Sequence, residues 1–296
     1  MATIINGKEL AAAMRRQIAA QVQRITEGKG VRPGLAVIQV GEDPASSIYV
    51  RNKQKACSEC GIHSFGYELP ADAEQKHVLE LIETLNHDEQ VSGILCQLPL
   101  PAHLDEFVIT QAIQPEKDVD GFHAVNIGLL SMGRDCLVSC TPSGIMAMLR
   151  HYEIPISGQR CVIIGRSNIV GKPVAQLMLN AHATVTVAHS RTRDLPALCR
   201  QADILISAVG RAGFVTADFV KPGAAVIDVG INRGDDGKVT GDVDFPAVQD
   251  IAAAITPVPG GVGPMTITML LENTVKAFLR QHHWQDEFPS ADTITA

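Results

Sequence analysis

Three side chains in one segment are titratable or hydrogen-bonding groups at a helical spacing. Ser46, Tyr49 and Lys53 lie three and four residues apart, so a helix over 43–61 would carry all three on one face. That helix would follow a buried strand over 34–41, and ligands of open α/β sheets bind beyond the carboxyl ends of such strands. The spacing alone is equally compatible with a packed tyrosine beside a lysine whose stem is buried.

A second set of polar groups favours a ligand site over simple packing. The segment "GILCQLPLP", residues 93–101, is predicted to begin with a buried strand that ends at Gln97. The glutamine side chain is uncharged and can both donate and accept hydrogen bonds. Pro99 and Pro101 restrict the shape of the loop that follows. Asp120, in "KDVDG", adds a carboxylate. Together these groups could bind a polar substrate.

The segment "IIGRSNIVGKP", residues 163–173, has the frame of a dinucleotide-binding turn, with a strand over 160–164 and a helix from about Gly171. The usual fingerprint has glycine at its first, third and sixth positions, whereas here Ser167 and Val170 occupy the third and sixth. The helix N-terminus still offers backbone N–H groups to a phosphate, and the Ser167 hydroxyl could donate as well. An ordinary tight connection between strand and helix fits the same residues equally well.

The residues after the next strand favour NADP over NAD. An NAD site usually has a carboxylate about 20 positions further on, which binds the ribose 2′-hydroxyl. Here the strand over 184–188 leads into "HSRTR", residues 189–193, which contains no carboxylate. Ser190 can donate to a 2′-phosphate, and Arg191 and Arg166 supply positive charge. The alternative is a basic loop that contacts only solvent.

Strands alternate with helices along the chain, which predicts an α/β architecture with parallel sheets. We expect an N-terminal αβα domain and a Rossmann-type nucleotide-binding domain. A long amphipathic helix over 263–281 closes the chain, and we expect it to pack back on the first domain. The predicted domains are 1–139 plus 270–296 and 140–269, with strands in the second domain at 160–164, 184–188, 203–207 and 225–229.

The charge balance argues against two classes of partner. The formal net charge is −7 and the pI is near 5.8, so we expect neither nucleic acid nor a membrane surface as partner. No apolar run approaches the ~20 residues of a membrane span. Seven cysteines without a secretory signal fit a cytoplasmic protein. Cys57 and Cys60 form a CxxC, but no second ligand pair completes a zinc site, so we expect no metal.

Seven motifs occur along nearly the whole chain. In order they are "YVRNKQK" (49–55), "GILCQLPLP" (93–101), "PEKDVDGF" (115–122), "CTPSG" (140–144), "GRSNIVGKP" (165–173), "GDVDF" (241–245) and "PVPGGVGPMT" (257–266). In this order they resemble the motifs of the bifunctional methylenetetrahydrofolate dehydrogenase/methenyltetrahydrofolate cyclohydrolase family. The resemblance implies folate one-carbon derivatives as substrates, NADP as cofactor and a homodimer.

The resemblance also implies roles for individual residues. The equivalent of Lys53 is the catalytic lysine of the family, and those of Tyr49, Gln97 and Asp120 line its folate site. Further expected substrate contacts are Ser46, Leu98, Pro99, Pro259, Gly260 and Gly261. The expected cofactor contacts are Gly165, Arg166, Ser167, Ile169, Val170, Gly171, Ser190, Arg191 and Ile231.

Two glycine-containing segments are expected to border the ligands. "PVPGGVGPMT" is interpreted as a loop that bridges the two sites, because Gly260, Gly261 and Gly263 permit close backbone approach. A tight interdomain turn is the alternative. "DVGIN", residues 228–232, is expected to border the nicotinamide pocket.

The two implied reactions make different demands on the protein. Oxidation of 5,10-methylenetetrahydrofolate needs mainly positioning against the nicotinamide, because a nitrogen lone pair expels the hydride. Hydrolysis of the methenyl compound needs water to be deprotonated and a ring nitrogen to be protonated, and Lys53 is the expected group for both transfers. Gln97 would orient the amine, Tyr49 would stack on folate, and Asp120 would accept hydrogen bonds from the pterin.

Two alternative functions stay open. One is a dehydrogenase of the same family without cyclohydrolase activity, against which Lys53, Gln97 and Asp120 together argue. The other is a non-catalytic NADP-responsive binding protein, which would be expected to lack the lysine or the glutamine.

Overall fold

The computed structural model describes residues 2–41, 44–234 and 237–289, and for residues 44–48 it describes the backbone only. Within these ranges, no helix combines the length and the apolarity that a membrane crossing requires. The helices are α1 (Gly7–Lys29), α2 (Pro44–Glu59), α3 (Gln75–His87), α4 (Glu106–Ala112), α5 (Ala124–Ser131), α6 (Cys140–His151), α7 (Gly171–Asn180), α8 (Leu195–Cys199), α9 (Phe245–Val248) and α10 (Val262–Gln281).

The strands agree with the predicted ones to within one residue wherever a range was predicted. The set is β1 (Thr3–Ile4), β2 (Gly34–Val40), β3 (His63–Leu69), β4 (Gly93–Cys96), β5 (Arg160–Ile164), β6 (Thr184–Ala188), β7 (Ile204–Ser207), β8 (Ala225–Asp228), β9 (Asn232–Arg233), β10 (Val239–Thr240) and β11 (Ala254–Ile255). The predicted α/β class is therefore confirmed.

The chain forms two compact units. The six-strand unit comprises Met1–Ala11 and Thr141–Thr266, and the three-strand unit comprises Ala12–Cys140 and Ile267–Ala296. The predicted division keeps 1–139 together, whereas the structure places the first eleven residues in the six-strand unit, because β1 pairs with β11. The prediction that the closing helix packs on the first domain is confirmed, since the part of α10 from Ile267 onwards belongs to the three-strand unit.

The sheet of the three-strand unit has the order β3-β2-β4, and all its pairs are parallel. Every residue of the central strand β2 is buried, as its nearly continuous apolar sequence, interrupted only by Gln39, predicts. The hydrophobic core of the three-strand unit also contains Ile82 of α3, Ile94 of β4 and Ile109 of α4. Parallel pairing brings the carboxyl ends of β2 and β4 to one edge of the sheet, where α2 and the segment after Cys96 begin.

The segment 117–121 lies against β4. The Ile94 N–H donates to the Lys117 carbonyl at 2.8 Å. The Lys117 amine is buried and donates to the carbonyls of Leu85 and Asp88, at 3.0 and 2.7 Å, so it caps the carboxyl end of α3. Burial lowers the pKa of Lys117. The backbone and side-chain hydrogen bonds of Lys117 hold this segment beside β4, which places Asp120 near the edge where β4 ends.

The sheet of the six-strand unit has the order β1-β11-β8-β7-β5-β6, and all its pairs are parallel. The turn after β5 and the loop after β6 lie at its carboxyl edge, together with the loops after β7 and β8. Val162, Leu205, Val226 and Ile255 belong to one buried core on this sheet. A short antiparallel pair, β9 with β10, follows β8.

Gly93→Ala tests how tightly segment 117–121 packs on β4. A Cβ at Gly93 would lie 2.4 Å from Cγ1 of Val119, a stiff and fully buried side chain. We expect the substitution to lower the free energy of unfolding by about 1–3 kcal/mol through overpacking. Thermal and denaturant unfolding measure the change.

Gly128→Ala is the matched control in the same unit. Gly128 lies in α5, and a Cβ there meets nothing within 4 Å. Alanine should stabilise this helix by roughly 0.5–1 kcal/mol. An unfolding midpoint for Gly93→Ala at or above that of the wild type would contradict the close packing.

Candidate active site

The amine of Lys53 donates a hydrogen bond to the side-chain amide of Gln97. Lys53 stands one turn after Tyr49 on α2, and its Nζ donates to Gln97 Oε1 at 2.8 Å. Gln97 Nε2 donates to the Leu98 carbonyl at 2.6 Å, and the Gln97 backbone N–H donates to the Ile38 carbonyl at 2.8 Å. The amide is therefore held with its oxygen toward the amine, as a neutral acceptor.

Asp120 supplies a carboxylate in the same unit. Burial raises the pKa of Asp120 to about 6, while the positive charge of Lys53 lowers it and the nearby Asp118 raises it. Among the described residues, none donates a hydrogen bond to the Asp120 carboxylate. At neutral pH the group is therefore mainly ionised and free to accept hydrogen bonds from a ligand.

Three buried thiols lie near these charges. Burial raises the pKa of Cys57 to about 12 and that of Cys96 to about 12, and it raises the pKa of Cys140 well above its usual value. The charge of Lys53 acts on Cys57 and Cys140, and that of Asp120 acts on Cys96 and Cys140. The three groups therefore stay protonated at neutral pH and behave as small apolar residues rather than nucleophiles.

The CxxC contributes two buried free thiols, Cys57 in α2 and Cys60 just after it. Burial raises the pKa of Cys60 to about 11, and the charge of Arg15 opposes this effect. Across the described ranges, no three His, Cys, Asp or Glu side chains are grouped so that they could hold a metal ion.

The other expected substrate contacts are distributed over both units. Leu98 and Pro99 follow Gln97 directly, and the bond between them is cis. Ser46 belongs to α2, but its side chain lies outside the described residues. Pro259–Gly261 belongs to the six-strand unit.

The glycines of that last loop serve a structural purpose within their own unit. Gly260 has a φ of +107°, and its carbonyl accepts a hydrogen bond from the Lys8 N–H at 2.9 Å. A Cβ at Gly7 would lie 2.0 Å from the Gly261 carbonyl oxygen. The start of α1 therefore packs directly on this loop, a contact that the interpretation as a ligand-facing loop did not include.

The turn between β5 and α7 requires two of its glycines. Gly165 has a φ of +129°, and a Cβ there would lie 2.4 Å from the Ala208 carbonyl oxygen. A Cβ at Gly171 would lie 2.3 Å from the Gly165 carbonyl oxygen. Ser167 Oγ accepts hydrogen bonds from the N–H groups of Val170 and Gly171, at 3.2 and 3.3 Å. Its oxygen therefore caps the turn, while its proton is available to a ligand.

The polar side chains expected to bind phosphate at the carboxyl edge of the six-strand sheet are exposed. They are the cations Arg166 and Arg191 and the hydroxyl of Ser190. In the loop after β6, His189 Nδ1 accepts a hydrogen bond from the Arg191 N–H at 3.1 Å, and the His189 N–H donates to Thr192 Oγ1 at 2.9 Å. The loop is therefore ordered by local hydrogen bonds, while its positive charge stays available. Ile169 and Ile231, the apolar members of the expected set, are 44% and 46% exposed.

Sequence reasoning missed a pair of buried carboxylates in the six-strand unit. The first, Asp242, accepts hydrogen bonds from the N–H groups of Val209, Gly210 and Arg211 at 2.7, 3.2 and 2.8 Å. Asn232 Nδ2 donates to it at 3.0 Å. Three consecutive N–H groups directed at one carboxylate form a nest, which fixes the loop after β7.

The second carboxylate, Asp228, ends β8. It accepts hydrogen bonds from the N–H groups of Gly230, Asp242 and Val243, at 3.0, 2.9 and 2.9 Å. Burial raises its pKa to about 6. A Cβ at Gly241 would lie 1.8 Å from Asp228 Oδ2, so the glycine is required. The sequence signal was the pairing of aspartate with glycine in both "DVGIN" and "GDVDF".

Comparison with known proteins covers both units. The family model described as tetrahydrofolate dehydrogenase/cyclohydrolase, catalytic domain, matches residues 5–120, and the NAD(P)-binding domain of the same family matches residues 139–282. The protein named bifunctional protein FolD from Prosthecochloris aestuarii is 53% identical over 292 residues, which cover 95% of this chain and 99% of that protein.

Two solved structures share this fold. The bifunctional enzyme FolD, methylenetetrahydrofolate dehydrogenase/cyclohydrolase, from Campylobacter jejuni has a TM-score of 0.93 at 50% identity, covering 95% of this chain and all 100% of that one. The corresponding Trypanosoma brucei enzyme, described as complexed with NADP cofactor and inhibitor, has a TM-score of 0.91 at 42% identity, covering 95% and 98%.

The family resemblance carried by the seven motifs is therefore confirmed. The two domain matches together cover most of the chain, and the relatives are similar over almost its whole length. The chain belongs to the tetrahydrofolate dehydrogenase/cyclohydrolase family.

Proposed function

We propose that the protein is a bifunctional enzyme of one-carbon folate metabolism. It oxidises 5,10-methylenetetrahydrofolate to the 5,10-methenyl compound with NADP⁺, and it hydrolyses that compound to 10-formyltetrahydrofolate. The observation that carries the proposal is the 2.8 Å hydrogen bond from Lys53 Nζ to Gln97 Oε1. It places a proton-carrying amine beside a neutral partner.

The six-strand unit has the features that a dinucleotide phosphate needs. Gly165 and Gly171 leave no room for a Cβ, the N-terminus of α7 follows directly, and Arg166 and Arg191 are exposed. When bound, NADP⁺ supplies the hydride acceptor. The absence of a carboxylate from 189–193 supports NADP rather than NAD, because a carboxylate there would repel the 2′-phosphate. The relative from Trypanosoma brucei is described with the same cofactor.

The expected cofactor contacts are retained as part of the proposal. In the turn they are Gly165, Arg166, Ser167, Ile169, Val170 and Gly171, and beyond it they are Ser190, Arg191 and Ile231. The Ser167 and Ser190 hydroxyls would donate to phosphate oxygens, and the two arginines would neutralise the charge.

In the oxidation step, the protein positions the substrate. The lone pair of a folate nitrogen expels hydride from the methylene carbon, which leaves a methenyl cation. Asp120 would accept hydrogen bonds from the pterin amino group and ring N–H, and Tyr49 would stack on the flat part of the molecule. Ser46, Leu98 and Pro99 of the same unit complete the proposed contacts. The reaction itself needs no proton carrier.

The hydrolysis step needs two proton transfers. Water adds to the methenyl carbon as its proton passes to the Lys53 amine, and the resulting ammonium then protonates a ring nitrogen as the carbon–nitrogen bond breaks. The net reaction consumes one water and releases one proton. Gln97 orients the amine without the negative charge that would favour the ammonium form. The presence of an oriented amine, which only the hydrolysis requires, argues against a dehydrogenase without cyclohydrolase activity.

Lys53→Met removes the proposed proton carrier while keeping a stem of similar length. We expect cyclohydrolase turnover to fall by about 10²–10⁴-fold, the usual contribution of acid–base catalysis, while folate still binds. With methylenetetrahydrofolate as substrate, the formation of NADPH from NADP⁺ or of NADH from NAD⁺ measures the dehydrogenase. The loss of methenyl absorbance, followed separately, measures the cyclohydrolase.

Lys55→Met is the control on the same helix. The Lys55 side chain is 78% exposed and pairs only loosely with Glu59, at 3.9 Å, so its loss should change neither activity. Wild-type cyclohydrolase turnover in Lys53→Met would refute the role of the amine. Failure of the wild type to form NADPH from NADP⁺ or NADH from NAD⁺ would refute the whole proposal.

The charge of Asp120 predicts a pH dependence of folate binding. Its pKa of about 6 means that the carboxylate is ionised above that pH and protonated below it, and only the ionised form accepts two hydrogen bonds from the pterin. The groups around it are Lys53, Asp118, Cys96 and Cys140, and both thiols stay protonated throughout this range.

The measurement is the dissociation constant of 5-formyltetrahydrofolate, which neither reaction consumes, between pH 5 and pH 8. We expect affinity to fall as the pH drops through about 6, approaching tenfold per pH unit below it. Asp120→Asn should bind more weakly at pH 8 and lose most of this dependence. A pH profile that is the same in both proteins would rule out Asp120 as the titrating contact.

The proposal includes the cytoplasm as location and a second copy of the chain as partner. All seven cysteines are free thiols, as in proteins of a reducing compartment. The edge strand β6 exposes Val187, which is 39% accessible, and the adjacent α7 exposes Leu179, which is 55% accessible. An edge strand that carries apolar side chains can pair with another chain, here a second copy.

Val187→Lys should weaken this dimer. We expect light scattering after size-exclusion chromatography to show a mainly monomeric protein at low micromolar concentration, because a charge at an edge strand opposes pairing. Val31→Lys is the control, since Val31 is 44% exposed and lies in the other unit. A monomeric wild type, or a Val187→Lys dimer of undiminished stability, would exclude β6 as the interface.

A further inference from the structure

We infer that Asn273, on α10, is a positioning residue for the Asp120 carboxylate and thereby sets the affinity of the site for folate. The role rests on the proposed function, in which Asp120 contacts the pterin. Asn273 is buried in the three-strand unit and follows Asp120 by more than 150 positions in the chain. None of the seven sequence motifs includes it.

The side-chain amide of Asn273 joins two backbone segments. Its Nδ2 donates to the Val119 carbonyl at 2.8 Å and to the Val138 carbonyl at 2.8 Å. An amide nitrogen has two hydrogens, so both are used by these bonds. The Val119 carbonyl belongs to the peptide group that continues into the nitrogen of Asp120. A shift of Asn273 would therefore move the backbone from which the Asp120 side chain extends.

Two further contacts hold the same segments together. The thiol of Cys140 donates to the Val119 carbonyl at 3.3 Å. Gly121 has a φ of +69°, and a Cβ there would lie 2.5 Å from the backbone nitrogen of Ser139. The chain after Asp120 therefore presses against residues 138–140, and Asn273 ties that contact to α10.

The residues on the other side of Asp120 are also fixed. The Asp118 carboxylate accepts hydrogen bonds from the His123 N–H at 2.7 Å and from Asn126 Nδ2 at 2.9 Å. The side chain of Val119 packs on Gly93. In contrast, the Asp120 carboxylate receives no hydrogen bond from any described residue. Its position in the site is therefore determined by the backbone on either side. Within the described part of the chain, Asn273 provides the one side-chain amide that holds that backbone at Val119.

Asn273→Leu removes both donors and keeps a similar volume. We expect the KM for 5,10-methylenetetrahydrofolate to rise about tenfold or more, because a misplacement on the order of an ångström costs one to two powers of ten in a positioned site. The KM for NADP⁺ should stay within about twofold. We also expect the fall in 5-formyltetrahydrofolate affinity to occur at lower pH, since a loosened loop admits water around the carboxyl.

Asn86→Leu is the matched control. Asn86 lies in the same unit and is buried to the same degree as Asn273, and it makes two comparable bonds, to the Ala112 carbonyl at 2.9 Å and from the Gln114 N–H at 3.0 Å. Its loss should lower the thermal midpoint as much as Asn273→Leu does, but leave the folate KM and its pH dependence unchanged.

The folate KM values of the three variants decide between the possibilities. An unchanged folate KM in Asn273→Leu, or an equal rise in Asn86→Leu, would overturn the positioning role. If Asn273→Leu does not fold, Asn273→Ser is measured by the same criteria. Asp120→Asn separates the two levels: no rise in its folate KM would count against the proposed function, whereas a rise in Asp120→Asn without one in Asn273→Leu would count against the role of Asn273 alone.

Discussion

The hydrogen bond between Lys53 and Gln97 exists because two neighbouring parallel strands end at one edge of a sheet. Ile38 of β2 pairs with Cys96 of β4, so β4 ends beside Ile38 and β2 ends two residues further on, at Val40. Gln97 is then held by its backbone N–H on Ile38 and by its side-chain amide on Leu98. The register of the sheet therefore places the Gln97 amide, a neutral acceptor, beside the Lys53 amine.

Four aspartates of this fold divide into two kinds according to their hydrogen-bond donors. Asp118, Asp228 and Asp242 each accept two or more hydrogen bonds from nearby N–H groups, which offset the cost of burial and tie loops together. Asp120 has no such donor among the described residues, although it stands two positions after Asp118. Its unsatisfied hydrogen-bonding capacity is what makes it available to a substrate, and the neighbouring residues maintain its position.

Much of this organisation could be predicted from local sequence. Apolar runs bounded by glycine and proline located β2, β4 and the strands of the second sheet, and Pro44 and Gly61 marked the limits of α2. Such signals act over a few residues, where backbone preferences are decided. The order of the seven motifs identified the family, and the types and positions of Lys53, Gln97 and Asp120 indicated a site with an amine, an amide and a carboxylate.

Only the tertiary structure decided which distant segments meet. The pairing of β1 with β11, which draws the first residues into the six-strand unit, joins short strands about 250 positions apart. Asn273 reaches the Val119 carbonyl across 154 positions. Asp228 and Asp242 hold together the segments "DVGIN" and "GDVDF", which are separate in the sequence, and the loop after β7. The sequence by itself determined the elements and the chemical groups, because these follow from local preferences and residue types. The fold determined the partners, because a long-range contact depends on how whole elements pack.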